Sequence, residues 1–258
     1  MASGKRDPNQ MTFFEHLEEL RGRILKSLIL FAIVFFVVFF VLAQTGYLMK
    51  FLAAPLIELS ETPYVFAATD PKEPFLANLR ASFWVSIIFS SGLIFYHVWA
   101  FVAPGLTRSE KFFAIPFMVF MTAFFMVGCY FSFTVVFPMA LEYLLSWNDN
   151  GLPAYTRSSY LSLLFAFVLG MGASFQMPMV IFFLARIGLV TPRFLIAKFR
   201  YAVLIIFIVA AIITPTPDFY TQTVLAVPML LLYLAGVGAA ALVVRKKKKE
   251  ELAPLEDD

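Results

Sequence analysis

The stretch TFFEHLEELRGRILKSLILFAIVFFVVFFVLA, residues 12–43, contains the first long apolar run of the chain. Its second part, residues 24–43, would form an α-helix about 30 Å long at about 1.5 Å per residue, which matches the hydrocarbon core of a bilayer. Because the polar and amphipathic residues 1–23 precede this run, it is not typical of a cleavable signal peptide. The stretch therefore predicts a retained transmembrane span.

Residues 12–26 predict an amphipathic helix that leads into this span. Thr12 and Glu15 have the spacing of a capping box, which places the helix start at Phe13. At about 100° per residue, one stripe of the helix is apolar and the opposite face is charged. The apolar stripe comprises Phe13, Leu17, Leu20 and Ile24, and the charged face comprises Glu15, Glu19, Arg23 and Lys26. The helix can present carboxylates at the membrane surface, or Glu19 and Arg23 can simply form an i,i+4 ion pair on a solvated face.

The composition indicates an integral membrane protein. The chain is 61% hydrophobic and 14% charged, has a mean hydropathy of +0.83, and contains 32 phenylalanines. The single cysteine, Cys129, excludes an intramolecular disulfide, and the two histidines, His16 and His97, are too few for a metal site. No nucleophile–base pair or phosphate-binding loop is recognisable. The sequence therefore predicts neither an enzyme nor a bound cofactor or metal.

Apolar runs predict an all-α polytopic membrane protein with six transmembrane spans. We expect one integral membrane domain over residues 1–258, with flexible tails at 1–11 and 246–258. The predicted spans are residues 24–43, 81–103, 114–137, 161–185, 201–213 and 224–244. The fifth of these is well short of the roughly 20 residues that cross a bilayer.

Two long loops connect the predicted spans, at residues 44–78 and 138–160. The first loop contains a short amphipathic helix at 47–59 that is bent at Pro55. Pro71 and Pro74 favour a non-helical return to the membrane. In the connection before the fifth span, a further short helix is expected after Thr191 and Pro192.

The basic residues predict the orientation of the chain in the membrane. Of the 20 Lys and Arg residues, only Lys50, Lys72, Arg80 and Arg157 fall on the side of the two long loops. Positively charged loops stay on the cytoplasmic side of a membrane. Both termini are therefore predicted in the cytoplasm and both long loops outside.

Few polar residues lie in or beside the spans. Gln176 lies within the fourth span, where an amide needs partners: either a carbonyl or helix of its own chain, or a polar group on another protein's membrane helix. His97 is interpreted either as a side chain near the membrane interface whose hydrogen bonds are satisfied or as a functional residue. On the cytoplasmic side, Glu15, Glu19 and Glu110 stand among basic residues, which suits either ordinary solvated ion pairs or close-range recognition of arginine.

Several segments resemble the TatC family, the multi-span receptor of twin-arginine protein translocation. They occur in the family's order over about nine-tenths of the chain. The segments are HLEELRGR (16–23), APLIELS (54–60), EPFLANLR (73–80), YHVWAFVAPGLTRSEK (96–111), VVFP (135–138), GASFQMP (172–178) and TPTPDFYTQTVLAVPM (214–229).

This resemblance implies six transmembrane helices in a concave, cupped arrangement, with the two long extracytoplasmic loops forming a cap. It implies that a cytoplasmic surface binds the arginine pair of a signal peptide. The residues implied for that surface are Glu19 and Glu110, with Arg21, Glu15, Phe101 and Leu106 in support. Gln176 matches a fourth-helix position linked to signal-peptide or TatA/TatB-type partner contact, where the family often has Glu. Pro55 and Phe75 match outer-loop positions important for the fold, and Asp218 matches an acidic turn residue or is an N-cap.

The resulting hypothesis is a non-enzymatic core subunit of a protein-export machine in a bacterial or archaeal cytoplasmic membrane. The resemblance implies that it binds twin-arginine signal peptides of folded cargo, recruits TatA/TatB-type partners, forms homo-oligomers and uses the proton-motive force. It implies no nucleic-acid partner. The main alternative is a small-solute secondary transporter, which would show a midplane polar site and repeat symmetry; the sequence shows neither.

Overall fold

The computed structural model describes residues 13–59, 66, 70–102, 114–147, 156–214, 216 and 218–252 of the chain. These residues form helices joined by short connections. The helices are α1 (Phe13–Thr45), α2 (Tyr47–Leu52), α3 (Ala54–Leu59), α4 (Glu73–Val102), α5 (Ala114–Phe131), a π-helical turn (Ser132–Val136), α6 (Phe137–Ser146), α7 (Arg157–Ser174), α8 (Met177–Arg186), α9 (Pro192–Ala197), α10 (Phe199–Ile213) and α11 (Phe219–Leu252).

Six helical segments correspond to the six predicted spans. Five are long and apolar enough to cross a membrane, and these are Leu17–Val41, Glu73–Phe101, Pro116–Ser146, Arg157–Arg186 and Phe219–Arg245. The sixth, α10 (Phe199–Ile213), has 15 residues and so extends only about 22 Å. The short fifth span is therefore confirmed.

Helix α1 lies at the periphery and packs mainly along α4. Aromatic side chains join the two helices: the rings of Phe31 and Phe83 lie 5.4 Å apart, and those of Phe39 and Phe75 lie 6.1 Å apart. Most other apolar side chains of α1 are exposed, including Phe40 at 62%. In a membrane this surface faces lipid, so α1 is attached to the rest of the protein through one side only.

The core centres on α7, which contacts α4, α5, α6 and α11. Phe137, Phe167, Leu164, Met171 and Leu225 are fully buried there. The short helix α3 packs on α6, and its Pro55 and Leu56 are buried. These contacts make α2, α3 and α6 the described part of the predicted cap.

The structure differs from the predicted ends of two spans, in each case at a proline. Pro74 was expected in a non-helical segment, but it lies in the first turn of α4, where its missing N–H removes no helical bond. The third span does not end at residue 137, because the helix continues through Pro138 to Ser146. The π-helical turn permits this continuation: the N–H of Phe137 bonds to the carbonyl of Ser132, five residues back, and the wider turn accommodates the proline.

The other boundaries differ less from the prediction. The 47–59 segment is interrupted at Ala53, and Pro55 lies in the first turn of α3. The short helix after Thr191 is confirmed, and the Thr191 hydroxyl accepts a hydrogen bond from the Phe194 N–H at 3.2 Å. Helix α11 continues to Leu252, so the basic run at 245–249, assigned mostly to a tail, is helical. The tail at 1–11 lies outside the described residues.

Tyr160 anchors α2 to the core. Its hydroxyl donates a buried hydrogen bond to the Leu52 carbonyl at 2.7 Å, across 108 residues of sequence. The ring is 3% exposed and contacts Phe137 edge-on at 5.6 Å. This bond joins α7 directly to the end of α2.

We expect Tyr160→Phe to lower the free energy of unfolding by about 1–3 kcal/mol, because the buried Leu52 carbonyl loses its donor. Chemical denaturation of the purified protein in detergent measures the change. Tyr130→Phe is the matched control, since the Tyr130 side chain is 70% exposed. Equal stability of the two variants would contradict the anchoring role.

Candidate functional site

Glu19 and Arg23 form an ion pair near the N-terminal end of α1. The Glu19 Oε1 atom accepts a hydrogen bond from Arg23 Nε at 3.0 Å and a second one from Arg23 Nη2. The side chains of Arg23 and Glu19 are 25% and 21% exposed. The i,i+4 ion pair expected from the sequence is therefore present, and a cation of the same chain binds the Glu19 carboxylate.

An open groove lies beside this pair, between α1 and α4. Its volume is about 390 Å³. It is lined by Leu20, Arg23, Ile24, Ser27, Leu28, Phe31, Ile94, His97, Val98 and Phe101. We refer to it as the α1–α4 groove. Arg23 of the ion pair and Phe101 both line it; their role in binding a signal peptide stays a prediction.

The remaining residues of the predicted signal-peptide surface are described in part. Arg21 is exposed on α1. Glu15 lies in the first turn of α1, but its side chain is outside the described part of the chain. Glu110 and Leu106 also lie outside the described residues, so their proximity to Glu19 stays a prediction.

Gln176 lies at the break between α7 and α8. Its amide nitrogen Nε2 donates to the Met121 carbonyl of α5 at 3.0 Å, and the residue is 9% exposed. The amide is therefore bound by a neighbouring helix of the same chain. Its oxygen Oε1 is buried and has no hydrogen-bond donor among the described residues, so a contact to a partner helix stays a prediction.

Asp218 caps the last helix, as one of its two interpretations predicted. Its Oδ1 atom accepts from the Thr221 N–H at 2.7 Å, and its Oδ2 atom accepts from the Thr221 hydroxyl at 2.6 Å. The other two outer positions differ in environment: Pro55 is buried in α3, whereas Phe75 is 59% exposed.

Comparisons with known proteins agree on one family. The model of the Sec-independent protein translocase protein (TatC) matches residues 15–228. The chain belongs to the TatC family. It is 35% identical over 243 residues to TatC of Koribacter versatilis, covering 93% of this chain and 89% of that protein. It is 34% identical over 237 residues to TatC of Escherichia coli K12, covering 92% of this chain and 90% of that protein.

A solved structure of this family shares the fold. The crystal structure of the twin-arginine translocase receptor TatC matches with a TM-score of 0.78 at 32% identity, covering 89% of this chain and 99% of that one. This likeness confirms the all-α fold class, and the six-span cupped arrangement is consistent with it. The family is a component of a protein translocase, and the small-solute transporter is not favoured.

Within this TatC-family chain, the structure shows a partly buried, hydrogen-bonded amide, that of Gln222, which the sequence analysis did not single out. Gln222 Nε2 donates to the Phe207 carbonyl at 2.8 Å and so joins α10 to α11. Gln222 lies inside the quoted segment 214–229, one turn after the cap at Asp218. A polar side chain next to a predicted span is a signal from which Gln222 could have been identified in the sequence.

The hydrogen bonds to Asp218 predict a pH-dependent stability. Burial by itself would raise the pKa of this carboxyl, but hydrogen bonds from Thr221, Thr216 and the Tyr220 N–H outweigh it and hold the pKa below its usual value. A lowered pKa stabilises the fold above the unfolded-state value and stops doing so as the pH falls through the folded-state value. The effect therefore disappears at acidic pH, below about 4.

We expect Asp218→Asn, which keeps a capping acceptor but cannot titrate, to be less stable than the unsubstituted protein at pH 7. The difference should shrink steadily below about pH 4. Thermal unfolding in detergent at a series of pH values measures it. A difference that stays constant from pH 7 to pH 3 would contradict the assignment.

Proposed function

We propose that this chain is the core receptor subunit of a twin-arginine protein translocase. It is a non-enzymatic, multi-pass protein of a bacterial or archaeal cytoplasmic membrane with both termini in the cytoplasm. It binds twin-arginine signal peptides at its cytoplasmic face and exports folded proteins with TatA/TatB-type single-span partners and other copies of itself. The observation that carries this proposal is the Glu19–Arg23 pair beside the open α1–α4 groove.

The pair suggests that the receptor binds arginine by exchange. Glu19 already holds a guanidinium, that of Arg23, through two hydrogen bonds to Oε1. A signal-peptide arginine offers the same planar donor group and can replace Arg23 on the carboxylate. Partly exposed ion pairs contribute only about 0–1 kcal/mol, so displacing Arg23 costs little. Glu19 is thereby kept oriented until a peptide arrives.

A second carboxylate is needed for the second arginine of the motif, and we assign this role to Glu110. Phe101 lies in the wall of the α1–α4 groove and supports the peptide beside Glu19. Leu106, Arg21 and Glu15 complete the proposed surface. These roles follow from family membership together with the position of Glu19 and Phe101.

Gln176 is the proposed contact for a single-span partner. Its Oε1 atom is a buried acceptor without a donor in the described residues, and a polar side chain on a partner's membrane helix can supply one. Because an amide does not titrate, this position cannot relay protons. The proton-motive force that drives export must therefore act elsewhere in the assembly.

Glu19→Gln should weaken binding of a twin-arginine peptide by about tenfold, because the amide cannot form the charge-assisted pair. Photocrosslinking of a labelled peptide to the protein in nanodiscs, titrated with peptide, measures the apparent affinity. Glu18→Gln is the matched control, since Glu18 is exposed on the same turn. A twin-lysine peptide reports non-specific binding.

The Arg23→Gln variant distinguishes two roles of Arg23: a competitor that a peptide arginine replaces on Glu19, or a structural partner that supports Glu19. If Arg23 competes with the peptide for Glu19, its removal strengthens binding, whereas a purely structural pair predicts weaker binding. The assignment of Glu19 fails if Glu19→Gln binds the twin-arginine peptide as Glu18→Gln does.

Gln176→Leu should reduce co-purification of a single-span partner by several-fold, because no acceptor remains for the partner helix. Pull-down of the tagged TatC-family chain with quantified partner measures it. Gln222→Leu loses an interhelical amide hydrogen bond of the same kind and is the matched control. Equal loss of partner in both variants would attribute the effect to stability and contradict the contact.

A further inference from the structure

His97 gives the α1–α4 groove a polar group that the proposed receptor surface does not use. The polar residues in the groove lining are Arg23, Ser27 and His97. Arg23 pairs with Glu19, and the Ser27 hydroxyl donates to the Arg23 carbonyl at 3.0 Å. Of the three side chains, that of His97 is the one that forms no hydrogen bond with the described part of the chain.

The two ring nitrogens of His97 differ in access. Nδ1 is buried and has no hydrogen-bond partner among the described residues, whereas Nε2, which also forms no hydrogen bond with them, is not buried. A buried N–H group without an acceptor is rarer in proteins than an unused lone pair. The proton of a neutral imidazole therefore belongs on Nε2, and a charged imidazole carries a proton on both nitrogens. In either form, Nε2 is an accessible hydrogen-bond donor.

The groove begins next to Glu19 and follows α1 into its span. Along α1 its lining runs from Leu20 to Phe31, which corresponds to about 16 Å of helix. An extended peptide covers this length with about five residues. His97 lies in the opposite wall, on α4, close enough to Arg23 for electrostatic interaction. A peptide held at Glu19 that continues along the groove therefore passes His97 within a few residues.

The groove suits an extended apolar segment. Its walls can receive apolar side chains, since Ile24, Leu28 and Val98 are 56%, 59% and 54% exposed. The main chain of an extended segment leaves its carbonyl oxygens unpaired, and each one that enters apolar surroundings needs a donor. A helical segment pairs its own carbonyls and does not use a donor in the wall. A single N–H donor between apolar walls therefore favours the extended form.

We propose that His97 binds the main chain of the signal peptide, an inference that rests on the receptor function proposed above. The Nε2–H group donates a hydrogen bond to a carbonyl of the segment that adjoins the arginine on Glu19. This segment is extended, and its apolar side chains lie against Ile24, Leu28 and Val98. Glu19 recognises the guanidinium, whereas the groove with His97 recognises the apolar segment beside it.

A lipid acyl chain is the competing occupant, because the apolar walls would also suit it. An acyl chain contains no acceptor and leaves the Nε2–H group without a partner. A peptide main chain supplies an acceptor. The two occupants therefore predict different environments for the imidazole of His97.

Replacement of His97 tests the hydrogen bond. His97→Phe keeps a flat ring and removes the donor, so it should weaken binding of a twin-arginine peptide by about fivefold. His97→Gln retains an N–H donor and should bind within about twofold of the unsubstituted protein. Photocrosslinking titrations with the full chain in nanodiscs measure both. Tyr96→Phe is the matched control, because it removes a hydroxyl from a neighbouring residue that is 48% exposed and does not line the groove.

The imidazole itself reports what occupies the groove. The chain contains two histidines, so His16→Gln leaves His97 as the source of the imidazole signal. With ¹⁵N-labelled histidine, NMR of the protein in bilayers should show a shifted Nε2 resonance at saturating twin-arginine peptide. A twin-lysine peptide should leave the resonance unchanged. An Nε2 resonance that does not respond to the bound twin-arginine peptide would show a groove filled by lipid and overturn the proposal.

The variants also separate this inference from the receptor function. Weaker binding in Glu19→Gln together with unchanged binding in His97→Phe would overturn the role of His97 and leave the receptor function in place. Equal losses in His97→Phe and His97→Gln would attribute the effect to packing and overturn it too. Binding that does not respond to Glu19→Gln would overturn the receptor function, and this inference with it.

Discussion

Every backbone N–H and C=O group inside the hydrocarbon needs a partner within the protein, and the irregular parts of this structure are arranged around that requirement. The fourth span is broken at residues 175–176, and there the Gln176 amide reaches the Met121 carbonyl of α5. The third span widens into a π-helical turn at Ser132–Val136 instead of breaking at the following proline. Each deviation packs against a neighbouring helix, α7 for the π-helical turn and α5 for the break at Gln176.

Close packing makes these irregular segments possible. A Cβ atom at Gly128 would lie 2.7 Å from the ring of Phe175, and one at Gly172 would lie 2.7 Å from Cys129 Sγ. Glycine therefore lets α5 and α7 approach where the fourth span is broken. The N-terminal end of α1 is built differently, with a partly exposed ion pair between Glu19 and Arg23 next to the α1–α4 groove. The molecule thus combines a closely packed middle with an open groove at one end of its first span.

The sequence predicted the spans because apolar runs of membrane length are stable only inside a bilayer. It predicted the short helix after Thr191 and the N-cap at Asp218 because both depend on neighbouring residues in the chain. It failed at prolines. Pro74 was expected in a non-helical segment, and Pro138 was expected just after the end of a helix. Pro74 instead lies in the first turn of a helix, and Pro138 follows a π-helical turn that tertiary packing maintains. Proline forbids a hydrogen bond at its own nitrogen but does not decide whether the surrounding helix can rearrange to do without it.

For the site, the sequence alone established the family motifs, the helical pairing of Glu19 with Arg23, and the need of Gln176 for a partner. These follow from spacing and from the cost of an amide in hydrocarbon. Only the tertiary structure decided that Met121 supplies that partner and that a groove lies beside Arg23. It alone brought Trp99 and Arg186, distant in sequence, into the lining of a second groove. Those arrangements depend on which helices pack together, and helix periodicity carries no information about a helix's neighbours.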